Sequence, residues 1–106
     1  MNLRTIEEYL TSLGEVTKET ITGDNVILFK RNDKLFALLE LTDPIKISLR
    51  CDPELASLLR EKYETVMPGQ KLNNKHWNTI VLTGQIDWPE IQGFIRLSYN
   101  LTGDQL

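Results

Sequence analysis

Cysteine and histidine each occur once in these 106 residues. The lone Cys51 excludes an internal disulfide and fits a reducing compartment such as the cytoplasm. Long apolar runs are absent too: stretch 35–39 is among the longest, far short of the roughly 20 residues a membrane helix needs. The opening MNLRTIEEYL lacks a basic segment followed by an apolar one, so no signal peptide is expected. No glycine-rich phosphate loop, paired-carboxylate spacing or metal-ligand spacing is present, so neither an enzyme nor a cofactor site is expected. Positive charge is not in surplus. The net charge is −3, a mild argument against non-specific attraction to nucleic acid.

That total is unevenly spread. Residues 1–24 carry two Lys/Arg against five Asp/Glu, and residues 83–106 carry one against three. The middle, residues 25–82, carries nine against seven, so an anion would be met there. Length and composition fit a single soluble globular domain over residues 1–106.

Leu3, Ile6, Leu10 and Leu13 recur at helical spacing, and Gly14 reads as the residue just past the helix end. Residues 15–24 read as a loop with a short edge strand near 16–21. Two apolar runs, NVILFKR and KLFALLEL, flank Asn32-Asp33, which tolerate positive φ and suit a tight hairpin turn. In IKISLR, Ile45, Ile47 and Leu49 alternate with Lys46, Ser48 and Arg50, which predicts one packed face and one wet face. Asp52-Pro53 opens a second helix, with Leu55, Leu58, Leu59 and Tyr63 as its buried stripe and Cys51 packed at its entrance. Pro68-Gly69 suggests a type II turn, HWNTIVLTG a strand, and Asp87 with Glu90 a capping box opening a last helix, with Ile86 and Ile91 as its staple. The expected order is α-β-β-β-α-β-α, an antiparallel sheet with helices on one face.

One stretch resists a purely structural reading. PGQKLNNKHWNTIVL gathers the only histidine, a tryptophan, three asparagines and two lysines within residues 68–82. In one reading Lys75 meets a phosphate, His76 or Asn78 bonds a base or sugar, and Trp77 stacks or packs beneath. In the other, Trp77 fills the core while His76 and Asn78 satisfy backbone groups at the strand entrance. Lys46, Arg50, Lys71, Asn73, Lys75, His76 and Asn78 form the candidate nucleic-acid-binding set. A protein-interaction or small-ligand module using the Lys75–Asn78 surface is the alternative. Glu7 and Glu8 are adjacent and point about 100° apart, so they do not form a chelating pair. A Cys51-His76-Asn78 thiol triad is disfavoured by the packed position of the thiol.

The run CDPELASLLREKY, followed by Pro68-Gly69 and Asn74-Lys75-His76-Trp77-Asn78-Thr79, resembles the MmcQ/YjbR family of small bacterial proteins. The hairpin VILFKRNDKLFALLEL and Ser98-Tyr99 extend the resemblance over nearly the whole chain. It implies a CyaY-like (frataxin-like) α+β fold, also likened to a double-wing DNA-binding domain, and a DNA-binding label that rests on that likeness. Family hairpins commonly turn through Gly-Gly. Arg31-Asn32-Asp33-Lys34 here implies a hairpin tip carrying charge of both signs.

Overall fold

The computed structural model describes residues 2–69 and 72–103. Lys71, one of the candidate contacts, therefore lies outside the described residues. Three helices, α1 (Leu3–Thr11), α2 (Pro53–Lys62) and α3 (Trp88–Gly103), accompany six strands. The strands are β1 (Thr17–Ile21), β2 (Val26–Arg31), β3 (Lys34–Glu40), β4 (Lys46–Arg50), β5 (Val66–Pro68) and β6 (Trp77–Val81). They form one antiparallel sheet in the order β1-β2-β3-β4-β6-β5. The four expected strands are present as β2, β3, β4 and β6, β1 is the short edge strand, and β5 is an additional three-residue edge. Among the described residues, no helix is long and apolar enough to cross a membrane.

Local chemistry explains most element ends. Asn2 caps α1, its side-chain oxygen accepting from the Thr5 N–H at 2.9 Å. That helix stops at Thr11, earlier than Leu13. Asn32 and Asp33 both take positive φ, as a two-residue hairpin turn requires. Asp87 Oδ1 accepts from the Glu90 N–H at 3.3 Å, but the Glu90 carboxylate is turned away to accept from the Tyr63 hydroxyl at 2.9 Å. Only half of the capping box forms. Pro68-Gly69 is not a type II turn: Pro68 ends β5 and the Gly69 N–H continues the ladder to the Trp77 carbonyl at 3.0 Å. Positive φ among the described glycines occurs at Gly14 and Gly84 instead.

The helices cover one face of the sheet. Ile27, Phe29, Leu39, Ile47, Leu49 and Ile80 meet Ile6, Leu10, Leu59, Ile91 and Ile95 in a single core. Ile45 and Leu55 pack at its margin, as the alternation in β4 predicts. Leu58 departs from the expected stripe, being 61% exposed on the outer side of α2. Ala56 takes the sheet-facing position instead.

The opposite face is not wet. Ser48 is 3% exposed and its hydroxyl hydrogen-bonds the buried Thr79 hydroxyl at 2.7 Å. Val26 and Leu38 are buried on this side as well, and Leu72 joins them around a cleft of about 190 Å³. The segment leading into β6 therefore covers part of this face. Strict alternation in β4 reveals the strand but not the cover laid over it.

Candidate nucleic-acid interface

β4 and β6 pair so that Arg50 lies opposite Trp77 and Leu49 opposite Asn78. Successive strand residues point to opposite faces. The Lys-His-Trp-Asn run is thereby split: Asn78 enters the helix-covered core, and Trp77 the covered region of the other face.

Asn78 is 2% exposed and fully engaged. Its amide donates to the Ala56 carbonyl at 3.1 Å and its oxygen accepts from Arg60 Nε at 2.6 Å. Arg60 also donates to the carbonyl of Trp77 at 3.2 Å and to that of Asn74. A side chain sealed in this way has no free edge for a base, so Asn78 is removed from the candidate contacts. Arg60 is the residue that sequence reasoning missed. It bolts the turn before β6 to α2, and its only signal is a cation on α2's flank beside a polar turn distant in sequence.

Trp77 is 5% exposed and packs close to Gly69. A Cβ added at Gly69 would lie 2.8 Å from that of Trp77, so the close approach itself requires glycine. The Arg50 guanidinium sits 5.5 Å from the Trp77 ring centroid, within cation–π reach. The tryptophan is thus a packing element rather than an open stacking platform.

The surface-facing candidates are Asn73, Lys75 and His76, all exposed. Asn73 is used locally: its Oδ1 accepts from the Lys75 N–H at 2.9 Å and its carbonyl from the His76 N–H at 3.2 Å. That Asx-type turn presents Lys75 and His76 outward. His76 accepts at its carbonyl from the Cys51 N–H at 2.7 Å, which docks the turn at the end of β4. Arg50, Cys51, Asp52, Pro53 and His76 then line a cleft of about 250 Å³ with Leu101. Lys46 stands apart, half-buried on the same face of β4 as Arg50 but four residues away, about 13 Å along an extended strand. Among the described residues, Lys46, Arg50 and Lys75 have no ion pair.

Other charged candidates are occupied. Glu7 pairs with Lys18 at 2.8 Å and Glu8 with Arg4 at 3.3 Å. At the hairpin tip, Arg31 is withdrawn from solvent: it donates to the Tyr99 carbonyl at 3.1 Å and lies 4.1 Å from that ring's centroid. The tip is therefore left to Asn32, Asp33 and Lys34. Burial pushes the Cys51 thiol above its ordinary pKa, the Asp52 charge adds to this, and Arg60 offsets part of it. A thiol held protonated is a poor nucleophile. Alkylation of the native protein by iodoacetamide at neutral pH should be slower than that of free cysteine, with the difference abolished in denaturant; equal rates would contradict the burial.

The family model named YjbR matches residues 11–101 of the chain. The chain is 38% identical over 71 residues to the uncharacterized protein YjbR of Escherichia coli strain K12, a match covering 66% of this chain and 60% of that protein. It is 32% identical over 85 residues to YbdF of Escherichia coli O157:H7, covering 79% of this chain and 70% of the relative. Among solved structures, the Deinococcus radiodurans protein DR2400, of family-model domain DUF419, superposes with a TM-score of 0.92 at 26% identity, over 98% of this chain and 80% of that one. A Pseudomonas syringae protein superposes with a TM-score of 0.83 at 27% identity, over 96% and 99% of the two chains.

Proposed function

The chain belongs to the YjbR family, and on that premise we propose that it is a cytoplasmic, non-enzymatic DNA-binding module whose contacts go to phosphates rather than bases. The observation that carries this reading is the corner where the turn before β6 docks onto β4. Lys75 and His76 are exposed on that turn, His76 lines a cleft with Arg50, and neither Lys75 nor Arg50 has an ion pair among the described residues. Unpaired cations suit a phosphate backbone, which supplies most non-specific affinity. Asn78, sealed in the core, is unavailable to read bases, and His76 remains at the rim of the cleft. A non-catalytic role is supported by Cys51, whose surroundings favour the protonated thiol.

Two or three phosphate contacts give weak binding. Duplex retention should be no tighter than roughly micromolar at physiological salt, as for ordinary non-specific association. It should also be nearly equal for two duplexes of unrelated sequence. Electrophoretic retardation of both duplexes at low salt tests this directly. A tenfold preference for either would mean that bases are read, and the phosphate-only reading would fail.

A further inference from the structure

The cleft of about 190 Å³ on the sheet face opposite the helices has a polar end and an apolar end. Strand register orders its floor. Leu28 of β2, Leu38 of β3 and Ser48 of β4 are successive cross-strand partners. Two residues along, about 6.7 Å on extended strands, Val26 stands opposite Glu40. The Asn25 carbonyl accepts from the Leu41 N–H at 2.9 Å, which places the short helical turn Thr22–Asp24 beside the Glu40 end. Asp24 and Glu40 therefore line one end of the cleft, and Leu28 and Leu38 the other. Leu72, from the segment before β6, completes the apolar wall.

The lining itself selects the ligand. Its charged members among the described residues are Asp24 and Glu40, and neither has an ion pair there. The nearby lysines do not line it: Lys30 is held by Glu19 at 3.5 Å, and Lys46, opposite Glu40 in register, makes no ion pair with it. An anion would meet only like charge. A metal ion would find two carboxylates where it needs six or more oxygens, because the Ser48 hydroxyl is bonded to that of Thr79 at 2.7 Å. An organic ammonium fits both ends, its charge at the carboxylates and its hydrocarbon body on the leucines. The size suits a single ring, since an apolar cavity of about 150 Å³ holds benzene.

We propose that this cleft binds a small primary amine with a ring-sized hydrocarbon body, its ammonium at Asp24 and Glu40 and its body against Leu28, Leu38 and Leu72. Arg50, Lys75 and His76 do not line it, so the site is separate from the DNA-binding corner and independent of that reading.

Titration of the full chain with phenethylamine, followed by backbone amide NMR shifts at physiological salt, tests it. Shifts should concentrate at Val26, Leu28, Leu38 and Leu72. Three controls divide the ligand: phenethyl alcohol keeps the ring without the charge, phenylacetate reverses the charge, and lysine blocked at both termini keeps the ammonium without the ring. Phenethylamine should bind at least about fivefold more tightly than each, the scale expected of two partly exposed ion pairs. Asp24→Asn combined with Glu40→Gln should weaken it by a similar factor, with phenethyl alcohol binding and the melting temperature unchanged, because neither residue belongs to the core. Should the pair lower the melting temperature, Glu40→Gln alone carries the same comparison. No shift at these residues, equal binding of amine and alcohol, or amine binding unaltered by the substitutions would each overturn the proposal. So would tighter binding of the blocked lysine, since the occupant would then be a side chain of another protein.

Discussion

Trp77→Ala should lower stability by about 3–5 kcal/mol, the usual cost of emptying a buried aromatic site. Trp77 lies outside the helix-side core, on the opposite sheet face. Its removal would leave a void on that face beside Gly69, whose backbone lies close to Trp77. Arg50 would also lose the ring beneath its guanidinium. Small domains hold only about 5–15 kcal/mol in total. The melting temperature should fall by at least about 12 °C, at roughly 4 °C or more per kcal/mol for a domain of this size. A variant that melts like the wild type would show that the ring is a surface platform.

Arg60→Ala is expected to be nearly as damaging, at about 2–4 kcal/mol. The substitution removes the donors to Asn78 Oδ1 and to the Trp77 and Asn74 carbonyls. A buried acceptor left without a donor costs about 1–3 kcal/mol, more than the net gain from forming the bond. Arg60→Lys should recover only part of the loss, because a single ammonium cannot reproduce the planar fork that reaches several acceptors. Thermal melts of both variants give the size of the effect. Hydrogen exchange gives its location, with protection lost first at His76 and Cys51, whose N–H groups bond to Asn73 and His76 carbonyls. Full rescue by lysine would mean that only the charge matters.

The elements that sequence patterning made legible are those whose determinants are local. The Asn32-Asp33 hairpin, the Pro53 helix start and the Asp87 cap each depend on a few adjacent residues. The alternation in β4 likewise fixed which face meets the helices. The features that stayed hidden depend on neighbours remote in the chain. Nothing in the local run around Ser48 indicates that Leu72 folds near it. Leu58 fits a helical stripe by spacing, yet it lies on the side of α2 away from the sheet. The Lys-His-Trp-Asn run offered a structural and a functional reading, and the strand's two-residue period divides it between them. Trp77 and Asn78 hold the fold, while Lys75 and His76 are left at the surface. Asn78 was assignable only once Arg60, eighteen residues away, was seen bonded to it.

The division of that segment is tested most directly by duplex affinity measured against salt, for the wild type and for Lys75→Ala, with a thermal melt of each. Each phosphate contact contributes about −0.9 to the slope of log affinity against log salt. Arg50 and Lys75 alone give about −2, and further contacts from Lys46 or Lys71 bring it no lower than about −4. Lys75→Ala should make the slope about one unit shallower while its melting temperature stays unchanged, because Lys75 is exposed and bears no packing. Absence of any retardation at low salt, or a Lys75→Ala slope identical to that of the wild type, would contradict DNA binding at this corner.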